Sequence, residues 1–370
     1  MNVLLTNATD IFAGGEDYVL ILGRYLALRG HKVWVSARPG HLLLRKCAEA
    51  SLPVVPIEYG DMSRVFGISR ILRRAMRDRS ISIVHSNANY DRTCAAVAAA
   101  FTPARHVAGI HSTHSIRHNI THAVRNRYGI SHFITDADAG REVLLREDGI
   151  PPGKVTTVPI GIESDPVDVR AGFRARIRGA MGIDERTVVI GNVARLVPFK
   201  GHRFLLDAAA RIAQENNGVL FLIAGDGELE GDLKAQAASL GLGDRVRFLG
   251  FRDDLREIYP AFDIYCHSSL ELASEMFPIA VLRALACALP VVSTNVGGIA
   301  AMIDEGVSGH LTPAEDPPAL ARALLGLINN APKRSAFGRA SFALFERRYQ
   351  AAAMAGNVER VYRHVMEGVR

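Results

Sequence analysis

Cysteine is scarce in this chain of 370 residues, with four examples that lie far apart. No CxxC pair occurs, which argues against a zinc site and against the disulfide scaffold of a small secreted protein. We therefore expect a reducing compartment, the cytoplasm. Charged residues make up 22% of the chain and hydrophobic residues 48%, a balance that excludes wholesale disorder. The length favours two domains and excludes a single small binding module.

Long hydrophobic runs are also rare. The first residues lack the basic segment and long apolar stretch of a secretory signal, and Val3–Leu5 predict a first β-strand. Residues 284–303 carry no charge and are long enough to span a bilayer. However, Pro290 and the Gly297-Gly298 pair interrupt them, which a lipid-exposed segment would not tolerate. We predict a helix end, a strand and a glycine loop there.

Basic residues exceed acidic residues only modestly, 44 to 38, for a net charge of +6. Such an excess attracts anions without identifying them. Five arginines crowd one short segment: Arg70, Arg73, Arg74, Arg77 and Arg79. Because no interleaved aromatic residues or nucleic-acid-binding module accompany them, we predict no nucleic acid partner. An anionic membrane surface or a phosphorylated substrate is favoured, and a solvated helix face is the alternative.

Strand and helix patterns alternate along both halves of the chain. The segment 151–168 is rich in proline, glycine and acidic residues and predicts the linker between the halves. We predict an α/β protein of two Rossmann-like domains, 1–165 and 166–349, each with a doubly wound parallel sheet, facing each other across a cleft. Residues 350–370 have a helical pattern, which by itself is compatible with packing on either domain.

Several loops that follow predicted strands carry candidate site residues. Gly14 and Gly15 precede a helix, where backbone N–H groups favour an anion, although they form neither a GxGxxG motif nor a P-loop and a bare turn is the alternative. Arg195 and Lys200 lie on one loop, where two cations suit a diphosphate leaving group. A solvated surface pair is the alternative there. Gly225 and the Gly250-Phe251 step indicate further loops at the same crevice or simple turns.

The most informative stretch is residues 268–298. A Glu275-Met-Phe-Pro278 step precedes a helix, and a Pro290-Val-Val-Ser-Thr294 strand leads into Gly297-Gly298. This stretch resembles the donor-binding signature of the retaining glycosyltransferases of family 4, also called glycosyl transferases group 1. Further matching motifs are Gly14-Gly15-Glu16, Gly30-His31-Lys32-Val33, Ala194-Arg195-Leu196 with Lys200-Gly201, Gly225-Asp226-Gly227 and Pro159-Ile-Gly161-Ile-Glu163. The resemblance therefore covers most of the chain.

The resemblance implies the GT-B fold, with a nucleotide-sugar on the C-terminal domain, an acceptor on the N-terminal domain and the helix 350–370 packed back on the latter. It implies that Arg195 and Lys200 neutralise the departing diphosphate and that Glu275 holds hydroxyls of the donor sugar. His111 resembles the family's active-site histidine, near the transferred sugar. The implied donor-binding residues are Gly14, Gly15, Gly225, Gly250, Phe251, Met276, Phe277, Pro278, Ile279 and Arg283.

Arg283 marks a departure from the family pattern. The family usually has a second glutamate at this position, eight residues after the first, to bind the ribose hydroxyls. An arginine cannot accept hydrogen bonds from those hydroxyls. We expect its guanidinium either to face a phosphate or base carbonyl, or to turn away and pair with Asp304 or Glu305. Three other histidines, His85, His114 and His118, are candidates for the acceptor site or for ordinary polar packing.

The resemblance predicts a metal-independent, retaining glycosyltransferase with no cofactor besides the nucleotide-sugar co-substrate, such as a UDP-sugar. No Asp-x-Asp motif occurs at a donor-loop position, and the cationic side chains take the role of a metal. The acceptor is a glycan, a lipid-linked molecule or a small molecule, as in polysaccharide or lipopolysaccharide biosynthesis. We expect a cytoplasmic enzyme that is peripheral on the inner face of the membrane. A nucleotide-sugar epimerase of the same fold and a catalytically silent nucleotide-sugar-binding protein are the alternatives.

Overall fold

A computed structural model describes residues 1–9, 14–60, 62–117, 119–271 and 275–368. The chain forms two compact units. The first unit comprises Met1–Gly161 and Gln350–Arg370, and the second comprises Ile162–Tyr349.

The first unit is built on a parallel sheet of seven strands. Its strands are β1 Asn2–Thr6, β2 Lys32–Ala37, β3 Val54–Pro56, β4 Ile83–Ser86, β5 Arg105–Ile110, β6 His132–Thr135 and β7 Val155–Thr157. Their order is β3-β2-β1-β4-β5-β6-β7, so the sheet grows in both directions from β1. Val3, Leu4 and Leu5 are completely buried, as expected of a strand covered on both faces.

The helices that connect these strands in the described residues are α1 Gly14–Leu28, α2 Leu42–Glu49, α3 Val65–Asp78, α4 Asn89–Ala99, α5 Ile120–Val124 and α6 Asp138–Arg146. A π-helical turn, Arg125–Gly129, continues α5. In α3, Val65, Ile68, Leu72 and Met76 recur at helical spacing and are buried against the sheet. The opposite face of α3 consequently carries the charged side chains.

The second unit has a six-stranded parallel sheet with the order β10-β9-β8-β11-β12-β13. Its strands are β8 Val188–Val193, β9 Val219–Ala224, β10 Val246–Gly250, β11 Ile264–His267, β12 Val291–Thr294 and β13 Gly309–Thr312. Its helices are α7 Val167–Ala180, α8 His202–Glu215, α9 Glu230–Ser239, α10 Leu255–Ile258, α11 Ile279–Ala286, α12 Pro317–Ile328 and α13 Ala331–Arg348. The two doubly wound parallel sheets predicted from the sequence are thus confirmed.

The last helix, α14 Ala351–Glu367, packs on the first unit against α1. Glu359 accepts hydrogen bonds from Arg29 at 2.6 Å, and the Tyr362 hydroxyl lies 2.7 Å from Nδ1 of His85. Gly161 begins the connection between units and has no room for a side chain, because a Cβ there would lie 2.4 Å from the Gln350 carbonyl oxygen. The two segments of the first unit, 1–161 and 350–370, are therefore joined by specific contacts.

Two strands were not predicted from the sequence. The predicted linker 151–168 contains β7, which pairs in parallel with β6, so this segment is partly sheet. β13 pairs with β12, although Gly309-His310-Leu311-Thr312 has only one strongly apolar residue. Residues 284–303 form the end of α11, β12 and a glycine loop, as predicted, and the loop is followed by a 3-10 turn, Ile299–Met302, which was not predicted. Over the part of the chain that the structure describes, no helix combines the length and apolar character needed to cross a bilayer.

Candidate active site

The loops at the carboxyl ends of β8, β9, β11 and β12 bring together several of the predicted site residues of the second unit. The strand order reverses between β8 and β11, and open α/β sheets bind ligands beside such a switch point. Arg195 and Lys200 follow β8, Gly225 follows β9, and Glu275 lies between β11 and α11. Local sequence thus places three separate motifs at one edge of the sheet.

Glycines allow the first two of these loops to pack backbone against backbone. At Gly225, where φ is +141°, a Cβ would lie 1.9 Å from the Ala194 carbonyl oxygen. Gly227 has a φ of +155°, and a Cβ there would lie 2.4 Å from the Leu196 carbonyl oxygen. The Leu196 N–H donates to the Asp226 carbonyl at 2.7 Å. Glycine is therefore required at position 225 for packing, because any side chain would separate the loop after β9 from the loop that carries Arg195.

The glycine loop after β12 holds Glu275 by its backbone. A Cβ on Gly297, where φ is +56°, would lie 1.9 Å from the Glu275 carbonyl oxygen. The Gly298 N–H donates to that same oxygen at 2.7 Å. This contact explains why the Gly297-Gly298 pair accompanies Glu275 in the sequence signature.

The Glu275 carboxylate is the centre of a buried polar cluster. Its Oε1 atom accepts hydrogen bonds from Lys200 Nζ and from Ser269 Oγ at 2.8 Å, and lies 3.3 Å from Nε2 of His267. The side chains of Lys200 and Glu275 are only 17% and 10% exposed. Burial raises the pKa of Glu275, but the hydrogen bond to His267 and the charges of His267 and Lys200 outweigh it and hold the pKa well below its ordinary value. Glu275 is therefore a carboxylate that accepts hydrogen bonds.

Arg195 differs from Lys200 in its surroundings. Its side chain is exposed, and its guanidinium carbon lies 5.7 Å from the centre of the Phe199 ring. It forms no ion pair with any residue in the described ranges. Lys200, by contrast, is already engaged with Glu275. The predicted pair of cations thus consists of one free guanidinium and one ammonium that is neutralised locally.

His202 follows the same loop and was not predicted as a site residue. It is the first residue of α8, is 1% exposed, and neither ring nitrogen has a hydrogen-bond partner among the described residues. Burial, with the charges of His267 and Lys200, lowers the pKa of His202 to about 4. The imidazole is consequently neutral at pH 7. Gly201 precedes it with a φ of +66°, and a Cβ there would lie 2.0 Å from the Ser268 carbonyl oxygen.

The remaining predicted donor-binding side chains of the second unit divide into buried and exposed groups. Met276, Phe277 and Ile279 are 2%, 8% and 6% exposed, and the Phe277 ring packs edge-on against Tyr349 with centres 5.4 Å apart. Pro278 is partly buried and caps α11. Because the three apolar side chains are buried, their structural contribution is packing. Gly250 ends β10 with a φ of +67°, and Phe251 beside it is 59% exposed.

Arg283 lies in α11 and lines a small recess of the second unit. Glu163, Asp165 and Arg256 line the same recess, and Arg256 donates to Asp165 at 2.8 Å. Asp304 and Glu305, the two partners considered for Arg283, contact other residues. Asp304 lies 3.7 Å from Arg347, and Glu305 lies 2.8 Å from His310.

A second polar cluster lies at the carboxyl ends of β4, β5 and β6 in the first unit. Nδ1 of His111 is 2.7 Å from Oδ2 of Asp136, and Nε2 is 3.4 Å from Oδ1 of Asn87. The Tyr18 ring lies 4.7 Å from the His111 ring, centre to centre. Burial raises the pKa of Asp136, although the charge of His111 and the hydrogen bond to it act in the opposite direction. Asp136 was not predicted, although it directly follows β6 and adjacent parallel strands end at one edge.

The other candidate histidines of the first unit differ in exposure. His85 is completely buried, and burial together with His111 and His106 lowers its pKa to about 3. His114 is exposed, and His118 lies outside the described residues. Gly14 and Gly15 begin α1, whereas Phe12 and Ala13 of that motif lie outside the described residues. Within the described ranges, no group of three His, Cys, Asp or Glu side chains is placed to hold a metal ion.

Two family descriptions match the chain, one in each half. Residues 12–165 match Glycosyltransferase Family 4, and residues 173–343 match Glycosyl transferases group 1. D-inositol 3-phosphate glycosyltransferase from Mycobacterium sp. (strain KMS) is 32% identical over 206 residues, which are 54% of this chain and 45% of that protein. This match spans about half the length of the curated relative.

Solved structures match nearly the whole chain. A glycosyltransferase from Rickettsia africae superimposes with a TM-score of 0.86 at 15% identity, covering 99% of this chain and 98% of the other. Anabaena Alr3699/HepE, solved in complex with UDP-glucose, gives a TM-score of 0.84 at 21% identity and covers 98% and 99%.

The fold and these neighbours define the class of protein, which has the GT-B fold. The chain belongs to the family 4 glycosyltransferases, the glycosyl transferases group 1. The resemblance stated from the sequence motifs is thereby confirmed.

Proposed function

We propose that this protein is a retaining glycosyltransferase that moves a sugar from a nucleoside diphosphate donor to a glycan, lipid-linked or small-molecule acceptor. The cluster of Lys200, Glu275 and His267, beside the free guanidinium of Arg195, carries the proposal. A UDP-sugar is the favoured donor because Anabaena Alr3699/HepE, which has the same fold, was solved with UDP-glucose.

The proposed chemistry follows from where charge develops. The bond between the anomeric carbon and the diphosphate breaks, a bond from that carbon to the acceptor oxygen forms on the same face, and the acceptor's proton passes to the leaving phosphate. Arg195 and Lys200 stabilise the negative charge that accumulates on the diphosphate, which a fixed cation does best in the transition state. No metal ion is needed in this scheme.

Glu275 is proposed to hold the donor sugar. A carboxylate with a depressed pKa accepts hydrogen bonds and therefore suits sugar hydroxyl groups. In the first unit, Asp136 accepts from Nδ1 of His111 and fixes the orientation of that imidazole, which is proposed to act near the transferred sugar.

The test begins with binding of UDP, UDP-glucose and other nucleotide-sugars, measured by thermal shift. A donor at a hundredfold excess over its Kd stabilises the folded protein by about 2.7 kcal/mol. Products are then analysed with donor alone and with candidate acceptors. Transfer with retention supports the proposal, whereas conversion of donor to its epimer without an acceptor identifies an epimerase. Failure to bind any nucleotide contradicts the proposal.

We also propose that α3 rests on an anionic membrane surface. Phe66 and Ile71 are 80% and 53% exposed, and they share this helix with the exposed side chains of Arg70, Arg74 and Arg77. Arg73 and Arg79 of the predicted cluster are half-buried. A helix surface that is both basic and apolar is typical of interfacial binding.

Co-sedimentation with vesicles of phosphatidylglycerol or phosphatidylcholine tests this proposal at low and high salt. Each cation near an anionic surface adds about 1 kcal/mol, so binding is expected only to the anionic vesicles and to weaken with salt. Phe66→Ser should reduce binding, whereas Leu28→Ser, at another exposed apolar position, should not. Binding that ignores lipid charge, or that Phe66→Ser leaves intact, contradicts the proposal.

A further inference from the structure

Two arginines of the first unit are buried without an acidic partner. Arg92 in α4 is 5% exposed, and Arg125 in the π-helical turn is 8% exposed. No carboxylate oxygen of the residues that the structure describes lies within ion-pairing distance of either guanidinium. This is unusual, because buried charges in proteins are normally paired.

The contacts of both guanidiniums are with neutral acceptors. Arg92 donates to the Gly109 carbonyl at 3.4 Å, and its Nε atom is buried with no hydrogen-bond partner among the described residues. Arg125 donates to Thr93 Oγ1 at 2.8 Å and to the Ile116 carbonyl at 3.4 Å. These contacts orient the two groups, and none of them is with a carboxylate.

The nearby carboxylates are occupied by other donors. Asp148 accepts from Ser115 Oγ at 2.5 Å and from the backbone N–H groups of Ile116 and Arg117. Asp91 accepts from Thr6 Oγ1 at 2.6 Å and from the Asn87 N–H. Burial lowers the pKa of Arg92 to about 10, although the charges of Asp91 and Asp148 act in the opposite direction. Burial and the charge of Arg92 lower the pKa of Arg125 to about 9, and Asp148 opposes this shift. Each guanidinium remains protonated at pH 7.

The two guanidiniums converge beneath an exposed residue. The Oδ1 atom of Asn89 lies 3.5 Å from an NH1 atom of Arg92 and 3.5 Å from an NH1 atom of Arg125. Asn89 itself is exposed at the start of α4. The pair therefore lies directly beneath an exposed amide side chain.

The pair is also adjacent to the His111 cluster. Gly109, whose carbonyl accepts from Arg92, is so close to that cluster that a Cβ on it would lie 3.0 Å from Nε2 of His111. Gly109 thus lies against both Arg92 and the histidine that the proposed function assigns to the reaction.

We propose that Arg92 and Arg125 bind an oxyanion carried by the acceptor, a phosphate or carboxylate group, beside the hydroxyl that receives the sugar. This assignment rests on the proposed glycosyltransferase function and narrows its acceptor to an anionic class. A guanidinium pair binds such a group with charge-assisted hydrogen bonds, in place of the Asn89 amide oxygen, and the ligand supplies a directly contacting anion that neither guanidinium has among the described residues.

The experiment titrates the protein with glycerol 1-phosphate, glucuronate, inorganic phosphate and uncharged glycerol, with UDP present to occupy any donor site. Calorimetry is expected to detect the phosphorylated or carboxylated ligand but not glycerol. Arg125→Gln should weaken that binding at least about tenfold, the usual effect of losing one charge-assisted hydrogen bond. Arg127→Gln, an exposed arginine of the same turn, is the matched control and should have no effect.

Asn89→Asp provides a second variant that is expected to fold well. It places a carboxylate between the two guanidiniums, so it should raise the melting temperature and abolish oxyanion binding. If Arg92 and Arg125 have only a structural role, glycerol 1-phosphate will shift the melting temperature of wild type and Asn89→Asp equally, and the proposal is wrong.

Further measurements distinguish an acceptor-borne anion from free phosphate, and failure of the proposed function from failure of this inference. Transfer from a nucleotide-sugar to a phosphorylated or carboxylated acceptor, but not to its uncharged analogue, supports an acceptor subsite. Equal binding of inorganic phosphate without any such preference in transfer overturns the acceptor assignment. UDP binding is measured in every variant: its absence in wild type contradicts the proposed function, whereas its presence without oxyanion binding contradicts this inference alone.

Discussion

The ion pair between Lys200 and Glu275 makes a prediction that separates two residues with the same proposed role. Lys200→Met removes the ammonium, so the Glu275 carboxylate, whose side chain is 10% exposed, keeps His267 and Ser269 as its side-chain partners among the described residues. Breaking a fully buried pair costs about 3–5 kcal/mol, and partial exposure with two remaining partners reduces this to about 1–3 kcal/mol. Arg195→Met is the control. Because Arg195 is exposed and unpaired within the described residues, its loss should change stability by less than about 0.5 kcal/mol.

Both variants are expected to slow sugar transfer by about 10²–10³-fold, the cost of removing one transition-state charge partner. The two measurements are urea unfolding and turnover of a saturating nucleotide-sugar donor. The two cations have the same proposed role in transfer, but the contact with Glu275 makes only Lys200 important for stability.

The double variant Lys200→Met/Glu275→Gln provides the decisive comparison. An uncharged pair no longer buries a lone carboxylate, so the double variant should be more stable than Lys200→Met by about 1 kcal/mol or more, while its transfer rate stays low. The reasoning is refuted if Lys200→Met unfolds at the wild-type urea concentration, or if the two single losses of stability simply add.

Three further predictions concern stability. Four histidines have pKa values lowered to between about 3 and about 4 by burial: His85, His106, His132 and His202. Near pH 5 these histidines bind protons only in the unfolded chain, whereas Asp91, whose pKa is raised to about 6 by burial, binds a proton mainly in the folded chain. These five groups together therefore bind about three more protons in the unfolded chain at that pH, and the free energy of unfolding should fall as pH decreases from 6.5 to 4. Urea midpoints that are flat over this range would contradict this prediction. Gly225→Ala should destabilise the protein by more than about 3 kcal/mol, because its Cβ would lie 1.9 Å from a backbone oxygen. Gly241→Ala is the control and should cost only about 1 kcal/mol, because Gly241 has a φ of +66° but open space around it. Equal urea midpoints for the two variants would refute the packing argument. Tyr362→Phe leaves Nδ1 of the buried His85 without its partner and should cost about 1–3 kcal/mol in the same assay, and an unchanged midpoint would show that the hydrogen bond is unimportant.

The elements most readily predicted from sequence are those whose pattern is strong within a few residues. β1 and β12 are apolar runs bounded by turn residues, and they occur as predicted. β7 was missed because Val155-Thr156-Thr157 lies in a proline- and glycine-rich segment, and only pairing with β6 makes it a strand. β13 was missed for a similar reason: the sequence Gly309-His310-Leu311-Thr312 has no strand pattern of its own, and pairing with the edge of β12 makes it a strand.

The candidate site shows the same limit. Family motifs identify Lys200 and Glu275 separately, but they do not indicate that the two side chains bind each other across 75 positions. Asp136, the partner of His111, and His267, the partner of Glu275, are single residues at strand ends with no motif of their own. Their significance depends on strand order, which brings distant carboxyl ends to one edge.

The return of α14 to the first unit has a consequence for biosynthesis. The hydrogen bond between Arg29 and Glu359 joins positions 330 residues apart, so the first unit is the earlier to be started and the later to be completed. During translation, the surface of residues 1–161 that α14 covers therefore stays exposed until the whole of 162–349 has been synthesised. A premature stop codon that removes α14 would therefore damage the unit encoded at the opposite end of the gene, while the sequence of the second unit would remain intact.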